Sequence, residues 1–307
     1  MRLRQLKIRG LGRLPETDWL TLSPSITLLL FPDENVGRQF LKTVQSLNPT
    51  FDCHTEKPFK DIPLETVSAN GYRKMISPEK KTIVFGIIDT PPSLVRELGA
   101  ITPPLYETDR VEIGRRLDYS RWINFVEIAS STRWSEVSED IQNLLHRTNP
   151  EGFYAQHIER LVKETAPTDR VKGTTAEELS TWLPGLRARP PDLGSQDEIE
   201  EKVQRARKFS EARQIITRRL PQFLSITSDQ DLQLPSSEKA ADQPKISPIL
   251  LVDCLNEGLD EGSSAKIHER ISSLPKNCQC LCFAAESLGG WNLPDEQVIS
   301  AETLNLK

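Results

Sequence analysis

The sequence predicts an α/β protein, and three observations carry that expectation. The apolar run Ile26–Phe31 passes through a polar turn into a segment whose apolar residues recur at helical spacing. A second aliphatic run, residues 249–253, ends in a carboxylate and leads through helix-forming sequence to a third apolar run at 278–285. Between these ends, residues 111–117 and 122–128, joined by Asp118-Tyr-Ser120, have the character of a β-hairpin.

Taken in order, residues 1–9 alternate loosely between basic and aliphatic side chains and read as an edge strand. Residues 18–22 make a second short strand, and Pro24-Ser25 turns the chain into the run at Ile26. Val36, Phe40, Leu41, Val44 and Leu47 then line one helix face, and Asn48-Pro49 ends that helix, because the residue before a proline is pushed out of helical geometry. Residues 50–80 are polar and irregular, and 82–88 form a strand. A helix over 135–149 places Val137, Ile141, Leu144 and Leu145 together and stops at Asn149-Pro150; another follows over 153–163. Residues 187–194, rich in Pro and Arg, connect to the longest helical pattern, 195–224. Ile199, Val203, Ala206, Phe209, Ile216 and Leu220 lie near one face there, with a kink or restart at Pro221. Residues 225–247 read as a polar, mobile stretch. A strand at 248–253, a helix at 263–274, a strand at 278–285 and a polar tail complete the chain.

A chain of 307 residues with 37% hydrophobic and 27% charged residues can bury a sizeable core. Its net charge of −5 argues against coating nucleic acid by charge alone. The apolar runs around Leu28 and Leu250 fall far short of the roughly 20 residues a membrane span needs, so no membrane partner is expected. The N-terminus has arginines but no apolar signal region. Five cysteines, an odd number, fit a reducing compartment, and the expected location is cytoplasmic.

The strand–turn–helix at 26–47 has the layout of a phosphate-binding loop, in which backbone N–H groups and a lysine cradle a triphosphate. The strand ending at Asp253 has the layout of one that holds hydrated Mg²⁺. Phe31-Pro-Asp-Glu-Asn-Val-Gly-Arg-Gln and Leu250-Leu-Val-Asp-Cys-Leu-Asn-Glu-Gly-Leu-Asp260 resemble the two ends of ABC-type ATPase heads of the SMC and RecF kind, within the P-loop NTPase superfamily. Leu234-Pro-Ser-Ser-Glu-Lys-Ala240 is similar to that family's signature segment. The resemblance covers residues 1–47 and 232–287. It implies a P-loop NTPase-like head with a mixed sheet, a β-meander lobe and a helical insertion: 1–129 as the N-terminal half, 130–224 as the insertion, 225–307 as the C-terminal half.

The departures fall on the chemistry. In either register of Asp33, Glu34, Asn35, Gly37 and Arg38 against the loop, neither the lysine nor the Mg²⁺-binding hydroxyl is present. Cys254 stands where the family has its catalytic glutamate, and Glu286 where it has a histidine. A thiol cannot orient an attacking water as a carboxylate does. The resemblance therefore implies a catalytically degenerate head with no bound cofactor. It would serve as a structural or regulatory subunit beside an active ATPase head, in DNA repair, chromosome maintenance or anti-phage defence. Ser236 and Ser237 would complete a partner's nucleotide site, with Asp260 at that interface; the plainer alternative is a polar loop.

Two rival readings stay open. One is an unconventional nucleotide-binding ATPase, with Arg38 in place of the lysine and Asp253 holding Mg²⁺. The other is a nucleic-acid-binding module, in which Arg2, Arg4, Lys7 and Arg9 meet a phosphate backbone; the plainer account is an edge strand protected by charge. The cations of 205–219 carry the same ambiguity. Cys278, Cys280 and Cys282 share one strand face and read as buried thiols rather than metal ligands, since no second pair matches them.

Overall fold

The structure, a computed structural model, describes residues 1–10, 14, 16–49, 81–101, 106–128, 132–148, 153–186, 193–227, 247–255, 269, 278–285, 298–300 and 303–304. Ten strands and six α-helices occur among them. The strands are β1 Arg2–Ile8, β2 Leu20–Thr21, β3 Ile26–Phe31, β4 Thr82–Asp89, β5 Arg110–Arg116, β6 Arg121–Phe125, β7 Phe223–Thr227, β8 Ile249–Cys254, β9 Gln279–Ala285 and β10 Val298–Ile299. The helices are α1 Glu34–Gln45, α2 Pro92–Gly99, α3 Ser135–Thr148, α4 Phe153–Glu164, α5 Gly173–Trp182 and α6 Leu193–Arg219, with a 3-10 turn at Leu183–Leu186.

The strands separate into two five-stranded sheets rather than one mixed sheet. The first runs β2-β1-β4-β5-β6; β1 pairs antiparallel with both β2 and β4, and β4 with β5. The second runs β10-β3-β9-β8-β7 and is parallel at every junction. Parallel strands need both faces covered, which suits the unbroken apolar character of β3, β8 and β9. Ile26–Phe31 and the two C-terminal strands thus share one sheet, with β9 between β3 and β8.

By contact the chain divides into two units. One comprises Met1–Pro91, Arg110–Ile123 and Arg219–Lys307, and carries α1 and both sheets except the last two residues of β6. On one face of its parallel sheet Leu28, Leu250, Val252, Cys254, Cys280 and Cys282 form a core. On the other, Phe31 stacks on Phe283 (centroids 6.1 Å apart) and meets Phe40 of α1 at 5.2 Å. The second unit, Pro92–Asp109 with Asn124–Arg218, is helical. Trp134, Ile141, Ile158, Leu179, Ile199 and Val203 lie in its core. Tyr106 packs against Phe125 and Phe209 there and donates its hydroxyl to the Arg205 carbonyl at 2.5 Å.

Several expectations need correction. The strand at 1–9 is not an edge, since β2 covers Gln5 and Leu6 on its free side. The long helix stops at Arg219, and residues 223–227 are strand. Pro221 bars continuation of the helix. The Phe223 N–H then bonds the Asn48 carbonyl at 2.9 Å, and β7 extends the parallel sheet along β8. Helices α2 and α5 went unforeseen. The expected irregular segment at 50–80, the linker at 187–194 and the helix at 263–274 lie outside the described residues, except Glu269 and the linker's last two positions, Leu193 and Gly194, which begin α6.

Candidate functional site

At the carboxyl end of β3 the chain has only Pro32 and Asp33 before α1 begins at Glu34. A triphosphate cradle needs a longer loop, G-x-x-x-x-G before its lysine, to wrap backbone donors around an anion. Here β3 continues through Phe31, which would be the loop's first glycine, and α1 starts three residues later. Phe31 faces the interior rather than the turn. Its side chain is fully buried between Phe40 and Phe283.

The helix start is already satisfied by the chain's own groups. Asp33 sits at the N-cap in extended geometry, and its Oδ1 accepts from the Asn35 N–H at 2.7 Å and the Val36 N–H at 3.4 Å. The Gly37 N–H bonds the Asp33 carbonyl at 3.0 Å. The donors that would face a bound anion therefore face a carboxylate, placed where the helix dipole favours negative charge. Asp33→Ala should cost about 1 kcal/mol, lowering the melting temperature by about 2–4 °C in a thermal melt; an unchanged melt would deny the cap a role.

One turn into α1, the Arg38 guanidinium pairs with the Glu34 carboxylate and approaches Asp253 Oδ2, Nε to oxygen, at 3.8 Å. The other oxygen of Asp253 accepts the Leu255 N–H at 3.0 Å. An internal cation thus meets the carboxylate that would hold Mg²⁺. Gly37 lies under Leu255: a Cβ there would come 2.7 and 2.8 Å from its methyls and 3.2 Å from Phe31. This close approach of α1 to the end of β8 leaves no room for a lysine stem without displacing buried Leu255. Cys254 points the opposite way from Asp253, into the core with Val252 and Cys282. Burial, and next to it the Asp253 charge, pushes its thiol up to about 12. It is an inert apolar group there.

The structure thus brings together Asp33, Glu34, Asn35, Gly37, Arg38 and Asp253. Ser236, Ser237, Asp260 and Glu286 lie outside the described residues. Of the N-terminal cations, Arg4 pairs with Asp89 at 3.5 Å and the Arg9 guanidinium lies over the Phe85 ring at 5.1 Å. On α6, Arg205 pairs with Glu201 and Lys208 with Glu211, each at 2.9 Å, which favours the plain reading of that helix as a solvated charged surface. Cys280 and Cys282 are buried as expected. Among the described residues no cluster of His, Cys, Asp and Glu could hold a metal, and no helix is long and apolar enough to cross a membrane.

Among solved structures the chain is similar to an SMC head bound to the C-winged helix domain of ScpA, at 11% identity and a TM-score of 0.36, over 98% of this chain and 94% of that one. It is also similar to the SMC head domain from Thermotoga maritima, at 8% identity and a TM-score of 0.33, over 93% and 90%. No family model matches the sequence, and no curated protein matches it.

Proposed function

We propose that this chain is a degenerate ATPase head, an α/β scaffold whose phosphate pocket is closed by its own side chains. It acts as a structural or regulatory subunit beside an active ATPase head, in DNA repair, chromosome maintenance or anti-phage defence. The observation that carries the reading is the two-residue connection Pro32-Asp33, which places a carboxylate on the helix start where a phosphate would sit. The Arg38–Asp253 contact supports it from the other side.

A triphosphate with Mg²⁺ does not fit these residues. Glu34 and Asp253 face one guanidinium and the Asp33 carboxylate caps the helix start, so an added polyanion meets net repulsion, and the carboxylate that would bind Mg²⁺ already has a cation and an N–H. Thermal unfolding with and without ATP and Mg²⁺ tests this directly. A ligand at a hundred times its Kd would add about 2.7 kcal/mol of stability; the expected shift is below about 1 °C. A rise of several degrees, abolished by Asp253→Asn, would establish the unconventional nucleotide site instead. Purification of the tagged protein from its native host should co-elute a protein with an intact Gly-Lys-Ser/Thr loop; recovery of the chain alone would remove the subunit role.

A further inference from the structure

We propose that the solvent-facing side of the antiparallel sheet binds single-stranded nucleic acid, stacking an unpaired base on Trp19 while the surrounding cations meet backbone phosphates. The inference is independent of the pocket at α1. It begins with a row of three aromatic rings. Trp19 lies edge-on to Phe85 with centroids 6.2 Å apart, and Phe85 edge-on to Trp122 at 5.9 Å. Trp122 is fixed to the sheet: its Nε1–H donates to Thr82 Oγ1 at 2.9 Å, and its ring covers Gly114, where a Cβ would come within 2.4 Å. Trp19 is 37% exposed, and Phe85 and Trp122 are half-buried.

Register supplies the charge around this row. Leu3, Leu6 and Ile8 point into the core, which leaves Arg2, Lys7 and Arg9 on the other side of β1. Lys7 is opposite Phe85, and Arg9 lies over the Phe85 ring. Across the sheet Arg110 is opposite Asp89, Glu112 opposite Ile87 and Arg116 opposite Thr82. Arg4 joins this surface through its ion pair with Asp89. The basic groups Arg2, Arg4, Lys7, Arg9, Arg110 and Arg116 still outnumber the carboxylates Glu16, Asp18, Asp89 and Glu112 near this face, although the whole chain is acidic. Cations flanking the exposed Trp19 ring suit a polyanion with free bases, since each base offers a π-face and each linkage a phosphate. Duplex DNA fits less well because its bases are stacked on one another.

Fluorescence anisotropy of a labelled oligo-dT of about 20 nucleotides, titrated with the full chain at about 50 mM salt, decides the matter. Binding is expected to weaken steadily with salt, and an unlabelled duplex of equal length should compete poorly. Trp19→Ala should weaken binding by roughly tenfold with an unchanged melting temperature, and Arg9→Glu should reduce the salt slope by about one. No binding at low salt, equal competition by duplex, or a folded Trp19→Ala variant of unchanged affinity would each overturn the proposal. Should Trp19→Ala fail to fold, the duplex competition and Arg9→Glu still decide it. A protein captured on this face by a chain that does not bind oligonucleotide would overturn it equally.

Discussion

Gln279→Leu should lower the stability of the two-sheet unit by about 3–5 kcal/mol, because one buried amide satisfies three backbone groups. Gln279 begins β9 in the parallel sheet and is 1% exposed. Its Oε1 accepts the Leu3 N–H at 2.8 Å, and its Nε2 donates to the Leu3 carbonyl at 2.7 Å and the Ser23 carbonyl at 2.8 Å. Leu3 lies beyond the reach of β2, which pairs only with Gln5 and Leu6. The amide thus does for β1 what a longer neighbouring strand would do, and in doing so ties the antiparallel sheet to the parallel one. Leucine is near in size but leaves all three groups unpaired, each costing about 1–3 kcal/mol when buried. Scanning calorimetry should show the melting temperature falling by roughly 8–15 °C. A shift below about 2 °C would mean that water or a backbone adjustment replaces the amide.

Arg115→Ala should be nearly as damaging, at about 2–4 kcal/mol. This arginine is only 6% exposed and holds the C-terminal end of α1 from the antiparallel sheet. Its Nε–H donates to the Ser46 carbonyl at 2.5 Å, and one terminal nitrogen reaches the Leu47 carbonyl at 3.4 Å. The other bonds the carbonyl of Tyr119 at 2.5 Å, in a hairpin turn where Tyr119 takes a φ of +67°. A cation at a helix C-terminus complements the dipole and supplies donors to carbonyls with no helical partner. Burial, and then the nearby Arg121, lowers the guanidinium to about 10. It therefore stays charged throughout the neutral range, and the loss should be the same from about pH 5 to 8. Lysine should recover only part of it, since one ammonium cannot span three diverging carbonyls. Chemical denaturation of the three proteins checks the ranking; an alanine variant as stable as the parent would show that water caps the helix equally well.

Much of the fold was legible in the residues because its signals are local. The apolar run before Pro32, the helical spacing of Val36, Phe40 and Val44, and the aliphatic strand ending at Asp253 all lie where the sequence puts them. The hairpin around Tyr119 is likewise written in its turn residues, with the Ser120 N–H bonded to Asp118 at 2.9 Å. Helix α5 was missed because its apolar face is sparse, with only Ala176 and Leu179 fully buried along its length. The over-long reading of α6 came from counting Leu220 and Leu224 as further helical turns. Leu224 instead lies on β7, paired with Leu250, and long-range pairing with β8 overrode the local pattern. The aromatic row is not legible in the sequence because its three members lie on segments distant from one another; the sheet order β2-β1-β4-β5-β6 and the ring contacts bring them together.

What the sequence determined by itself is the chemistry the site lacks. The residue types alone show that no lysine and no Ser/Thr stands at Gly37-Arg38-Gln39 and that a cysteine, not a carboxylate, directly follows Asp253. Tertiary structure decided the arrangement: β3 joined to α1 by two residues, Asp33 folded back onto the helix start, Phe31 drawn into the core, and Arg38 carried to Asp253. The physical reason is range. Side-chain chemistry and periodicity are properties of a few neighbouring residues, whereas a strand's end point and an ion pair between β8 and α1 follow from how distant segments pack into one sheet.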